Sequence, residues 1–401
     1  MTDKQGLVVS RSMLRLPIAL VIAGAVALVV GLYVSPERTW LNLLVDGFYV
    51  LSLGVSAMFF ITTQRLSSAK WSAAIRRIPE AYMSVLPAAA ALMLLLAFGF
   101  HSLYPWTVPH ALDHEPGAIA AGRETYLTPG FVYLRMIGIV ALWLFFAWRI
   151  RKISLAADTS RSAGLLGHQR LNRITAVFAP VFALTITAAA YDWIISLEPK
   201  WFSTMFAVYV FAGVWVGGVA AVTLGTVALA RRKPLRGAVG TAQLHDLGKL
   251  MFAFSIFWGY IFVCQYLLIW YGNIPEEITH FLSRTNGGWL PLFVANVLIN
   301  FVVPFLGLLS LPAKTNPRRL AVISMIVLFG RWLDLYLVIM PSVAPEPRFG
   351  PLEVLIAAGY GALVVLLFRH HVRRAPLVPL NDPVLAAEAA DRHPLAGRHA
   401  A

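Results

Sequence analysis

Two oppositely charged residues, Arg331 and Asp334, lie three positions apart in the apolar stretch "GRWLDLYLVIMP". That spacing places both side chains on one face of a helix, where they can pair. Each charge costs about 2.5–3.5 kcal/mol at the centre of a membrane helix, so charges there generally serve a function. A carboxylate can carry protons, and a neighbouring arginine can hold it ionised or release it. The pair is therefore a candidate proton site, and a purely structural ion pair is the alternative.

Further polar side chains fall in the other apolar stretches at distinct depths. We expect four to lie in the outer half of the membrane with Arg331 and Asp334: Asp192, Asp46, His101 and Arg135. Four more lie near the cytoplasmic face: His245, Asp246, Lys249 and Glu80. Mid-membrane hydrogen-bonding groups are Asn296, Asn300 and Tyr260. This distribution predicts two half-channels that meet near a neutral gate.

Simpler interpretations exist for several of these residues. Glu80 and Lys249 lie within a turn of the membrane surface, where a long charged side chain can reach the interface. Asn296 and Asn300, one helical turn apart, share a face and are suited to hydrogen bonds between helices. Both interpretations remain open at the level of the sequence.

Ten apolar stretches are each long enough to span a bilayer, which takes about 20 residues. Of all residues 59% are hydrophobic and 13% charged, against about 25% charged in soluble domains. The ten stretches cover residues 16–33, 41–62, 82–103, 131–150, 174–194, 202–230, 250–271, 289–311, 320–340 and 352–368. We predict an all-α polytopic integral membrane protein with a ten-span domain at residues 1–375 and a disordered cytoplasmic tail at residues 376–401.

The basic residues fall on alternate connecting segments, and both ends of the chain lie on the basic side. By the positive-inside rule, both termini are predicted to be cytoplasmic. The net charge of +14 then reflects membrane topology, and we expect no nucleic-acid partner.

Several kinds of cofactor chemistry lack the residues they need. The single cysteine, Cys264, excludes a cysteine-ligated cluster or zinc site. The histidines in or near the spans lie at their ends, so no pair facing each other across a b-type haem is evident. No glycine-rich phosphate loop is followed by Lys and Ser or Thr. We therefore expect no metal site and no cofactor in this chain, with a quinone as the one plausible carrier.

Four stretches carry a resemblance to known proteins: "YDWIISLEPKWFSTMFAVYVFAG" (Tyr191–Gly213), "HDLGKLMFAFSIFWGYIFVCQYLLIWYGNIPEE" (His245–Glu277), the region Asn300–Leu309 and "GRWLDLYLVIMP". At these positions the chain resembles a membrane subunit of bacterial alternative complex III, the quinol:cytochrome c oxidoreductase, within the wider NrfD/polysulfide-reductase-like group. The resemblance implies two four-helix bundles with two peripheral spans.

The resemblance also implies a location and partners. It implies a subunit of a respiratory complex in the bacterial inner membrane that oxidises menaquinol or ubiquinol. Partner subunits would be an NrfD-like paralogue and subunits carrying iron–sulfur clusters and haem c, all in contact with membrane lipid. This subunit would bind quinone, provide a proton translocation route, or both.

Not every candidate residue rests on that resemblance. Asp46, His101 and Arg135 lie outside the long matching stretches, so their proposed roles rest on depth alone. Whether the chain takes a direct part in the enzyme's chemistry stays open. A secondary transporter and a purely structural membrane anchor for redox subunits are the alternatives.

Overall fold

The computed structural model describes residues 12–108 and 125–392, and in these residues the chain is helical without any β-strand. Ten helical segments are long and apolar enough to span a membrane, which confirms the predicted all-α polytopic fold. They are α1 (Leu14–Val34), α2 (Pro36–Leu66), α3 (Arg77–Leu103), α4 (Pro129–Ala156), α5 (Arg161–Leu197), α6 (Phe206–Leu229), α7 (Thr241–Gly272), α8 (Trp289–Gly307), α9 (Pro317–Ser342) and α10 (Pro351–Val372).

Helix packing divides α2–α9 into two four-helix bundles. In the first bundle α2 packs against α3 and α5, and α4 packs against the same two helices. In the second bundle α6 packs against α7 and α9, and α8 packs against the same two helices. The pairing of α2 with α6 joins the bundles, while α1 and α10 pack on each other and on α2. This is the predicted arrangement of two bundles with peripheral helices.

The two peripheral helices meet at a pair of glycines. A Cβ atom on Gly24 would lie 2.8 Å from the Cα of Gly359, and one on Gly359 would lie 2.9 Å from the Cα of Gly24. Only glycine permits backbones to approach this closely, which is how small residues bring membrane helices together. The small-residue contact therefore fixes where α1 crosses α10.

Two spans contain a π-helical turn, and each turn carries one of the predicted polar residues. In α5 the turn is Ala190–Ile194 and includes Asp192; in α8 it is Leu298–Val302 and includes Asn300. Pro304 has no N–H to donate to the carbonyl of Asn300, four residues earlier, so the regular α-helical bond is missing there. Single π turns of this kind often occur at functional sites.

Short helices connect the spans: Lys70–Ile75, Pro105–Thr107, Lys233–Arg236, Pro275–Thr285 and Leu311–Thr315. The bundles have two ends. We call the end where α2 finishes and α3 begins the basic end, and the end where α2 begins the opposite end.

The C-terminal segment differs from the disordered tail that the sequence predicts. Leu377 and Asp382 are buried, and Pro383–Arg392 forms a helix that packs against α5 and the Lys70–Ile75 segment. Asp382 forms an ion pair with Arg76, a contact between distant segments that the composition of the tail does not reveal. Residues 393–401 lie outside the part of the chain that the structure describes.

Candidate functional site

Arg331 and Asp334 lie inside the second bundle, on the part of α9 that faces α6 and α8. Their side chains are only 3% and 6% exposed, and the Arg331 Nη1 atom lies 3.3 Å from the Asp334 Oδ2 atom. Arg331 also donates through Nε to the Asn300 Oδ1 atom at 2.7 Å, and its guanidinium carbon lies 4.2 Å from the centre of the Trp258 ring. The arginine is thus held by an acid, an amide and an aromatic face.

Asp334 accepts two hydrogen bonds besides its contact with Arg331. Its Oδ1 atom accepts from the Tyr209 hydroxyl and, at 2.8 Å, from the Asn296 amide. Asn300 donates to the Asn296 Oδ1 atom at 2.6 Å, which joins the two amides. We call these five residues, Tyr209, Asn296, Asn300, Arg331 and Asp334, the Asp334 cluster. The structure brings together four residues that the sequence singles out and adds Tyr209.

Two glycines of α6 provide the space that Arg331 occupies. A Cβ atom on Gly213 would lie 3.0 Å from the Arg331 Nη1 atom, and one on Gly217 would lie 3.3 Å from its Cγ atom. Beside them is a cavity of about 20 Å³, lined by both glycines and by Tyr209, Arg331 and Asp334. That volume is enough for about one water molecule.

A second small cavity continues from Tyr209 toward the opposite end. It also has a volume of about 20 Å³ and is lined by Tyr209, Gln265, His280 and Arg284. Tyr209 lines both cavities. The Tyr209 ring, whose hydroxyl donates to Asp334, therefore also borders this second cavity, whose remaining walls are mainly apolar side chains such as Phe262 and Leu337.

The second cavity leads to a buried ion cluster at the opposite end. Glu198 accepts from Arg284 Nη2 and from the Ser342 hydroxyl, each at 2.7 Å, and its Oε2 atom lies 2.7 Å from His280 Nδ1. The His280 ring stacks on Trp201 with 3.9 Å between ring centres. We call Glu198, His280, Arg284 and Ser342 the Glu198 cluster.

The charges in this cluster follow from its burial and its arginine. Burial raises the pKa of Glu198, but Arg284 and then His280 lower it by more, so the pKa lies well below its usual range. Burial, followed by the charge on Arg284, lowers the pKa of His280 to about 4 despite the nearby Glu198. Near pH 7 Glu198 is ionised and His280 is neutral. Because the carboxylate only accepts, Nδ1 of His280 carries the proton, and Nε2 is an acceptor with no hydrogen-bond partner among the described residues.

Tyr209 and the whole Glu198 cluster were not among the residues predicted from the sequence. Glu198 and His280 lie in connecting segments, where isolated polar residues are ordinary. The one local signal is the four-residue spacing of His280 and Arg284, which places them one helical turn apart. Nothing local connects either residue to Glu198.

At the basic end, His245, Asp246 and Lys249 lie in the first turns of α7. Lys249 Nζ is 2.6 Å from Asp246 Oδ1, and both side chains are partly exposed, 54% and 24%. Between this group and the Asp334 cluster lie two fully buried hydroxyl residues, Ser255 and Ser324. Ser324 precedes Arg331 by seven residues, about 10 Å along the helix. The two charged groups are thus separated by a neutral interval.

Glu80 lies apart from that group, in the first bundle. It is fully buried, with Arg77 Nη1 at 2.7 Å, Arg76 Nε at 3.4 Å and Arg151 Nη1 at 3.6 Å, and it accepts from the Ser154 hydroxyl. The Glu80 carboxylate is therefore enclosed by protein and does not reach solvent. Its carboxylate neutralises part of a cluster of arginines that joins α3 to α4.

Two predicted outer residues form their own ion pair in the first bundle. Arg135 Nε lies 2.7 Å from Asp192 Oδ2, with the Tyr126 ring 3.8 Å from the guanidinium carbon. The pair holds α4 against the π turn of α5 near the opposite end. It belongs to the first bundle, whereas the Asp334 cluster belongs to the second.

Asp46, His101 and Tyr260 also lie outside the Asp334 cluster. Asp46 is buried on α2 and accepts from Trp332 Nε1 at 2.7 Å. His101 is exposed at the end of α3, and Tyr260 is 62% exposed on the surface of α7. Tyr260 thus faces away from Asn296 and Asn300, with which depth alone had grouped it.

The fold and this site together define an all-α, multi-pass membrane protein with a buried, hydrogen-bonded ion pair inside its second bundle. Among the described residues, no three His, Cys, Asp or Glu side chains lie together so that they could hold a metal ion. No protein-family model matches the chain, and no curated protein is detectably similar to it.

Proposed function

We propose that this chain is an integral membrane subunit of alternative complex III, a quinol-oxidising respiratory complex, and that its second bundle provides a proton route. The assignment to the complex rests on the resemblance of the stretches Tyr191–Gly213 and His245–Glu277 described above. Haem c and iron–sulfur clusters would reside in partner subunits, and menaquinol or ubiquinol would be oxidised in the membrane. The protein would lie in the bacterial inner membrane with its basic end toward the cytoplasm.

The observation that carries the proton route is the burial of the Asp334 carboxylate between a hydroxyl and a cavity. Tyr209 donates to Asp334 and also lines the space that reaches His280. A neutral histidine can accept a proton at Nε2, and the ionised Glu198 beside it partly offsets the burial and the Arg284 charge that hold the pKa of His280 near 4. His280 would therefore hold a proton only briefly during transfer. Protons leaving Asp334 would therefore pass by Tyr209 and water to His280.

Arg331 would control when Asp334 holds a proton. Its positive charge favours the ionised form of the Asp334 carboxylate. Its hydrogen bond to Asn300 and its contact with Trp258 provide the guanidinium with alternative partners. Displacement of the guanidinium toward these groups weakens its hold on Asp334 and allows protonation. Proton uptake from the basic end would start at His245 and Asp246 and cross the neutral interval at Ser255.

The test is the Asp334→Asn variant in the intact complex. Proton release per quinol oxidised is measured in proteoliposomes with a pH-sensitive dye, alongside the quinol oxidation rate. We expect the proton yield to fall while subunit composition stays unchanged. The matched control is Glu353→Gln, which neutralises a buried carboxylate paired with Arg38 outside the second bundle. A normal proton yield in Asp334→Asn would refute the route and favour a structural anchor.

Membership of the complex is tested separately by mild-detergent purification from the native membrane. Co-purifying c-type haem absorbance and quinol oxidation are expected. A colourless, solitary chain would contradict the assignment, and substrate uptake by that chain in liposomes would favour a transporter.

A further inference from the structure

A cavity of about 160 Å³ opens at the basic end, between the end of α2, the Lys70–Ile75 segment and the start of α5. Its floor is apolar and includes Phe60 and Ile61 of α2, both buried. Three cationic side chains line it: Arg65, Lys70 and Arg76. The cavity at the end of α2 therefore has a basic rim above an apolar floor.

One carboxylate, Asp382 of the C-terminal segment, faces these three cations among the residues that line the cavity. It pairs with Arg76, and its Oδ2 atom lies 3.5 Å from Arg65 Nη2. Burial raises the pKa of Asp382, but Arg76 and Arg65 lower it by more, so the group is ionised. Glu80, outside the cavity, also lies 3.4 Å from Arg76 Nε. Lys70 has no ion-pair partner in the described residues, so the cavity still keeps an excess of positive charge.

Arg65 is fixed in position by its own neighbours. Its Nη1 atom lies 2.9 Å from His168 Nδ1 and 3.3 Å from Asn172 Oδ1, both on α5. These contacts hold the guanidinium at the cavity, where the nearest carboxylate, Asp382 at 3.5 Å, is shared with Arg76. A guanidinium held in this way is well suited to a phosphate oxygen, because little side-chain entropy is lost on binding.

A second, more open space of about 320 Å³ adjoins the first, and both are lined by Lys70 and His168. Its walls are mainly apolar, from Leu165 of α5 and from Pro383 and Val384 at the start of the C-terminal helix. The combination is a cationic pocket that continues into an apolar groove. A soluble phosphate compound would use the pocket alone, whereas an amphiphile would use both.

We infer that this cavity binds the phosphate group of an anionic phospholipid, with Lys70 and Arg65 contacting the phosphate and the groove beside Leu165 taking an acyl chain. Basic pockets between membrane helices at the cytoplasmic side are suited to such head groups. The C-terminal segment forms one wall of the site, since Asp382 and Val384 both line the pocket. The inference does not depend on the role of Asp334.

The experiment uses the protein purified with the subunits that accompany it, in nanodiscs of mixed phosphatidylglycerol and phosphatidylcholine. Native mass spectrometry after detergent release counts the lipids that stay bound. Wild-type protein should retain phosphatidylglycerol preferentially, and Lys70→Gln should lower that preference about fivefold. Lys70 is exposed, so folding should be intact, which thermal unfolding checks.

The matched control is Arg170→Gln, which removes an exposed cation of α5 that does not line the cavity. It should keep the wild-type preference. Equal loss in both variants would assign retention to general surface charge and overturn the site. A second arm adds soluble glycerol 3-phosphate: displacement of the lipid at low concentrations would show a site for free phosphate compounds and overturn the lipid assignment.

Discussion

The Arg331→Met variant should be less stable than a double variant that also carries Asp334→Asn. Methionine keeps the apolar stem of the side chain but leaves the buried Asp334 carboxylate without the cation now 3.3 Å away. At that distance the attraction is about 5 kcal/mol for an effective dielectric constant of about 20. Breaking a buried pair by removing one partner typically costs about 3–5 kcal/mol, because the other charge stays buried. We expect a loss in that range.

Adding Asp334→Asn removes the stranded charge and keeps an oxygen that can accept from Tyr209. Coupling between contacting residues is typically about 0.5–3 kcal/mol. Stranding one buried charge costs about 3–5 kcal/mol, whereas replacing both partners of a buried pair often costs much less. The double variant should therefore be more stable than Arg331→Met by about 1–3 kcal/mol. The free energy of unfolding is measured by tryptophan fluorescence during titration of mixed micelles with a denaturing detergent.

The control double-mutant cycle combines Arg331→Met with Glu353→Gln. Glu353 pairs with Arg38 at the opposite end of the molecule. Effects of such distant sites should add to within about 0.5 kcal/mol. Asp334→Asn could instead destabilise the Arg331→Met variant as much as it destabilises the wild-type protein. In that case Arg331 and Asp334 do not form an ion pair, and the interpretation of the cluster fails.

Two further predictions concern packing and pH. Gly218→Ala should lower the free energy of unfolding by about 1–3 kcal/mol, because its Cβ would lie 1.9 Å from the Ser56 hydroxyl; Gly138→Ala, with open space around it, should not. Folding lowers the pKa of His280 from 6.5 to about 4, so the unfolded chain binds more protons between these pH values. Lowering the pH across that window should therefore reduce the free energy of unfolding by up to about 3 kcal/mol. His280→Phe should lack that slope in thermal unfolding, and a slope unchanged from wild type would contradict the assignment.

The sequence alone determined the ten spans, since every helix that crosses hydrocarbon must present about 20 mostly apolar residues. It also determined which residues share a face within one helix. Arg331 with Asp334, and Asn296 with Asn300, follow from spacings of three and four along a helix whose period is 3.6 residues. Such relations are local and need no knowledge of neighbouring helices.

Contacts between helices were decided only by the tertiary structure. Asn300 reaches Arg331, and Tyr209 reaches Asp334, because α6, α8 and α9 are rotated so that these faces meet. Rotation of a membrane helix is set by packing against its neighbours, and apolar residues all around each helix leave little trace of it in the sequence. For the same reason Tyr260, at a suitable depth, lies on the outer surface instead.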